Sequence, residues 1–72
     1  MTADRRVVAY HIARLKDKRA DVRLSSIAEL AELGDPESLS ALEHVYHTDE
    51  DMAVRSAAQR AGRVIYALQR TR

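Results

Sequence analysis

The sequence predicts an all-α chain of four antiparallel helices stacked as two similar units. Three observations carry this. Apolar residues recur at intervals of three and four, a helical period and not the alternation of a strand. The corner Gly34-Asp35-Pro36 joins two such segments through three residues, which forces the chain to double back. The pair Val22-Arg23 that opens one apolar run returns as Val54-Arg55, 32 positions later, a spacing that suits two helices per repeat.

The elements follow in order. Met1 to Ala3 is expected to fray, and Thr2 or Asp4 to cap a first helix over about 4–16, with Val8, Ile12 and Leu15 as its stripe and Val7 alongside. Asp17 to Arg19 is a polar corner. A second helix over about 20–33 puts Val22, Ser26, Leu30 and Leu33 on one face, with Ile27 beside them. Gly34 is placed to close it in the left-handed conformation, which costs glycine no Cβ clash. Asp35 can then accept from the orphan amides of the next helix, Pro36 suits its first position, and Glu37 puts negative charge at its positive end. That third helix covers about 36–47, with Leu39, Leu42, Val45 and Tyr46 as its stripe. Thr48 to Asp51 is a second polar corner, and Asp51 caps a last helix over about 52–69. Val54, Ala58, Ala61, Ile65 and Leu68 line one face of it, widened by Ala57 and Val64. Val22, Leu30, Leu42, Val45, Ala58 and Ile65 are the expected core.

Residues 1–72 form one small domain, a size that buries only about 60% of its unfolded surface. With no Phe or Trp and three Tyr, the core must come from Ala, Val, Leu and Ile. The absence of cysteine excludes disulfides and thiolate metal sites. No apolar signal region opens the chain and no stretch approaches a membrane span, so the expectation is a soluble cytoplasmic protein. The formal net charge of +1 hides a strong asymmetry. Residues 1–23 carry +4, residues 24–53 carry −8 without one Lys or Arg, and residues 54–72 carry +5.

The two units agree beyond Val-Arg. Asp17 and Asp49 each stand five residues before the valine, and Ser26 and Ala58 share a small-residue position. The pattern Asp-x-x-x-x-Val-Arg-x-x-small, a helix, then Gly-Asp-Pro-Glu-x-Leu-x-x-Leu resembles the short HEAT-like repeats of the phycobilin-lyase type, best from Asp17 to Ala58. Three departures stand out: Ala within Ile27-Ala28-Glu29-Leu30-Ala31 where that pattern favours a closing Gly, Gly62 where it favours Leu, and Arg19 where it favours a capping Asp. The resemblance implies an α-α superhelix of two HEAT-like repeats used for protein interaction. Some relatives act in bilin attachment, and some larger ones grip DNA.

Several constellations bear on function. Asp17 with Arg23, and Asp49 with Arg55, read as corner clamps in which the carboxylate holds turn amides or the arginine. His44 and His47 lie one turn apart before Asp49, Glu50 and Asp51, without a third ligand at metal spacing. His11 is isolated. Ser25 and Ser26 sit mid-helix with no partnered base, and no phosphate loop, paired-carboxylate motif or dinucleotide fingerprint is present. No metal, cofactor or enzymatic activity is therefore expected, and the small core leaves little volume for a substrate pocket. Arg55, Arg63 and Arg70, flanked by Arg60 and joined by Gln59 and Tyr66, fall near one face of the last helix and could track phosphates. The acidic middle segment opposes nucleic acid. The small residues Ala58, Ala61 and Gly62, with Ile65 and Tyr66, are the expected interface of a two-fold homodimer, because close helix contact would offset the roughly 1 kcal/mol helix cost of Gly62; a head-to-tail stack of copies is the other geometry.

The reading is thus a non-catalytic protein-interaction or assembly module that binds a protein partner and itself. The alternative is a nucleic-acid-associated protein using the last helix. A more distant one, from the resemblance alone, is an accessory factor of a tetrapyrrole lyase.

Overall fold

Capping carboxylates start the first and last helices, whereas the second and third begin without a side-chain cap. The computed structural model describes residues 4–70, so the expected fraying of Met1 to Ala3 and a cap from Thr2 lie outside the described residues. Helix α1 spans Arg5–Arg14, and the Asp4 carboxylate accepts from the Arg6 amide at 2.8 Å. It ends two residues earlier than its apolar stripe suggests. Leu15, Lys16 and Asp17 donate to carbonyls three residues back, tightening the chain out of the α-helix. Helix α2 spans Ala20–Leu33. Its first-turn neighbour Arg19 supplies no side-chain cap, the consequence of an arginine where an acceptor belongs. Gly34 closes α2 at φ 68° and ψ 17°, donating its amide to the Leu30 carbonyl at 3.0 Å.

The third helix differs from the expectation. Pro36–Ser38 is a 3₁₀ turn, and helix α3 runs Leu39–Thr48. The Asp35 carboxylate caps the turn by accepting from the Glu37 amide at 2.8 Å. The Ser38 hydroxyl is fully buried and donates to the Asp35 carbonyl, so it is not free to cap α3. Helix α4 spans Met52–Arg70, and the Asp51 carboxylate accepts from the amides of Ala53 and Val54.

The helices form two stacked pairs. α1 packs on α2, α3 packs on α4, and α2 lies beside α4 and joins the pairs. The core runs along this stack: Val8, Leu15, Ile27, Leu30, Leu42, Val45, Val54, Ala58, Ala61 and Ile65 are all buried. Five of the six expected core residues are among them. Val22 is half-buried, whereas its repeat mate Val54 is fully buried. The reason is position: α4 has α2 alongside, while α2 has no preceding helix pair on the equivalent flank. Among the described residues no helix is long and apolar enough to cross a membrane.

Candidate functional site

The repeated Asp and Arg residues build a corner clamp, but with a pairing that differs from the local one. Arg23 does not bind the Asp17 carboxylate. Its Nε and Nη2 donate to Oδ2 and Oδ1 of Asp49, in the next unit, at 2.8 and 3.0 Å. Its Nη1 donates to the backbone carbonyls of Asp17 and Lys18 at 2.7 and 3.0 Å. One guanidinium therefore ties the first corner to the second. Both side chains are almost wholly buried, and every buried side-chain polar atom described has a hydrogen-bond partner. Asp49 Oδ1 also accepts from the Asp51 amide, as Asp17 Oδ1 accepts from the Arg19 amide. Arg55 repeats the carbonyl half of the motif, its Nη1 donating to the Asp49 carbonyl at 2.6 Å.

The electrostatics agree with this geometry. Burial by itself raises the Asp49 carboxyl, but the Asp51 amide and then Arg23 and Arg55 outweigh it and hold the group below the ordinary carboxylate range. The Asp49 carboxylate in turn raises the Arg23 guanidinium, against the opposing effect of burial.

Beside the clamp lies an open groove of about 770 Å³ between α1 and α3. Its floor is Ile12, Leu15, Ala41 and Val45, and its rim mixes Lys16, Lys18 and His44 with Asp17 and Glu50. The expectation of too little volume for a pocket is therefore corrected. The two pairs are joined through α2 and α4, leaving α1 and α3 apart, a spacing that no single helix reveals.

The structure also gives Ser26 a neighbour that its sequence position concealed. His11 Nδ1 is 3.1 Å from the Ser26 hydroxyl oxygen, which also accepts from Arg14 Nε at 2.9 Å. Ser26 has no exposed surface, so this trio ties α1 to α2 and offers no nucleophile to a substrate. His11 is a half-buried packing residue, not an isolated one. His44 and His47 are exposed, with His47 only 4.0 Å from Glu43, and among the described residues no cluster of three metal-ligating side chains occurs.

The expected interface on α4 divides. Ala58, Ala61 and Ile65 are buried in the chain's own core, which removes them from any surface offered to a second copy. Tyr66 is 58% exposed. Gly62 is half-buried, and a Cβ built on it would meet nothing within 4 Å, so no helix of this chain crowds it. The arginine row divides too. Arg60, Arg63 and Arg70 are exposed, with Arg70 5.9 Å from the Tyr66 ring centre, whereas Arg55 is engaged with the corner carbonyl. Gln59 donates to the Tyr46 hydroxyl at 3.3 Å across α3 and α4.

Comparison with known proteins finds one match. A family model of HEAT repeats covers residues 1–62. No curated protein and no solved structure matches the chain.

Proposed function

From the premise that the chain belongs to the HEAT repeat family, we propose that it is a non-catalytic protein-interaction or assembly module working in the cytoplasm. The groove between α1 and α3 is the observation that supports this most. An apolar floor of Ile12, Leu15, Ala41 and Val45 under a rim of both charge signs suits a segment of a partner protein, which brings apolar side chains and its own mixed charges. The charged groups with buried, directed hydrogen bonds, Arg23 and Asp49, are occupied in holding the corners.

The test is affinity capture from native cell extract with the wild-type chain, Ala41→Arg on the groove floor, and Arg63→Glu on α4. Proteins held by the wild type and released by Ala41→Arg are the expected result. A protein set identical to that held by an unrelated helical control removes the reading.

A nucleic-acid role is the second reading, favoured by the exposure of Arg60, Arg63 and Arg70 along α4. Retention on DNA at low salt, with the logarithm of affinity falling linearly with the logarithm of salt concentration, is its signature. Absence of retention at low salt ends it. A role beside a tetrapyrrole lyase rests on the sequence resemblance alone.

A further inference from the structure

The seam between α2 and α4 shows how one repeat unit receives the next. On α2 the joining flank is apolar: Leu24, Ile27, Ala28 and Ala31 line it. Carried forward 32 positions onto α4, that flank becomes Ser56, Gln59, Arg60 and Arg63, polar and basic, with both arginines exposed. The receiving flank of α4 is Ala57, Arg60, Ala61 and Val64, so Arg60 already borders α2 within the chain. Carried back onto α2, it becomes Ser25, Ala28, Glu29 and Glu32, all exposed. The row formed by α2 and α4 thus has an acidic end and a basic end.

The other row has the opposite polarity. Helical spacing sets Glu43 and Tyr46 on the flank of α3 turned away from the groove residues Ser40, His44 and Thr48. It sets Tyr10 and Arg14 on the flank of α1 turned away from Ile12 and Lys16. The corner clamp adds a third match. Arg23 grips the Asp49 carboxylate through Nε and Nη2, while Arg55, its repeat mate, has no ion pair among the described residues. Asp17, the repeat mate of Asp49, is exposed and already oriented by the Arg19 amide.

We propose that these ends meet between copies, so that the chain stacks head to tail. The Asp17 carboxylate of one copy takes the Nε and Nη2 edge of Arg55 on the next, and Glu29 and Glu32 lie against Arg63. This rests on the interaction-module reading and names a second copy of the chain as its partner. The α2–α4 row then brings opposite charges together, which orients the encounter. A two-fold contact through α4 would set Arg63 against its own copy, with like charges opposed. A head-to-tail contact generates rings or open filaments, so assembly continues past the dimer.

Sedimentation velocity on the full chain, from micromolar to millimolar concentration, tests the proposal. At low salt the mass rises with concentration beyond two copies, and at high salt it returns towards the single-copy 8.1 kDa. Glu32→Arg and Arg63→Glu alter exposed residues and retain the helical circular dichroism of the wild type. Each shifts half-assembly to roughly tenfold higher concentration, and an equimolar mixture of the two variants restores assembly, because each altered end meets a complementary one. A single-copy mass under every condition overturns the proposal. So does assembly unaffected by Glu32→Arg, the behaviour that a two-fold α4 contact predicts. Neither result touches the interaction-module reading, which stands or falls on the capture experiment.

Discussion

Arg23 and Asp49, 26 positions apart in the chain, hold each other through two hydrogen bonds of 2.8 and 3.0 Å while Arg23 also grips the carbonyls of the first corner. The repeat mates Asp17 and Asp49 therefore have unequal roles. Asp49→Ala leaves the buried Arg23 charge without its counter-ion and is expected to cost about 3–5 kcal/mol. Asp17→Ala removes an exposed turn acceptor and is expected to cost about 1 kcal/mol. Urea unfolding followed by circular dichroism compares them, with Asp49→Asn as a milder variant if Asp49→Ala does not fold. Equal losses at both positions would show that the clamp adds little.

The same pair predicts an acid limb to stability. The folded Asp49 carboxyl lies below its ordinary value, so the unfolded chain takes up the proton first. The stabilisation is complete above about pH 4 and is lost as pH falls through the lower, folded value. The difference in stability between wild type and Asp49→Asn is expected to be constant near neutrality and to shrink in acid. A difference that does not change down to the acid unfolding transition contradicts this assignment.

At Gly34 two constraints coincide. Its φ of 68° strains any L residue, and an added Cβ would lie 3.0 Å from Leu68 Cδ1. Gly34→Ala is expected to cost about 1–2 kcal/mol, and Gly34→Val more, because a branched side chain meets Leu68 as well. Asp35→Ala, which removes the cap on the Glu37 amide, is expected to cost about 1 kcal/mol. Thermal melts of the three variants test this order.

Leu30 and Leu42 are 0% and 1% exposed. Truncating either to alanine is expected to cost about 2–5 kcal/mol, enough to unfold much of so small a domain. Losses under about 1 kcal/mol at both, by urea titration, would mean that the cavities collapse without penalty.

Gly62 gives the opposite sign. With nothing within 4 Å of a built Cβ, Gly62→Ala is expected to raise the stability of the single chain by up to about 1 kcal/mol. A loss on this substitution, measured at low concentration, would reveal a close contact at Gly62.

How much of this was legible in the sequence follows the range of the interaction involved. Gly34, Asp35, Pro36 and Asp51 act on amides or backbone angles within three residues, so their roles could be read directly, and the helix faces followed from spacing. The 3₁₀ turn at Pro36–Ser38 escaped because it depends on the Ser38 hydroxyl being buried and committed to the Asp35 carbonyl. The helix bounds blurred for a similar reason at α1, where tightened turns replace the last α-helical bonds.

The sequence by itself determined the helices, their corners, the repeat offset and the uneven charge, because each is written in local chemistry or in plain recurrence. Only the tertiary structure decided who meets whom. It gave the Arg23 guanidinium to Asp49 and not Asp17, and joined His11 to Ser26 across two helices. It put Ala58, Ala61 and Ile65 into the chain's own core and left Gly62 uncrowded. Those outcomes depend on which flank of each helix faces its neighbours. Spacing along one helix defines its flanks, but only the packing of a second helix against it selects the one that is buried.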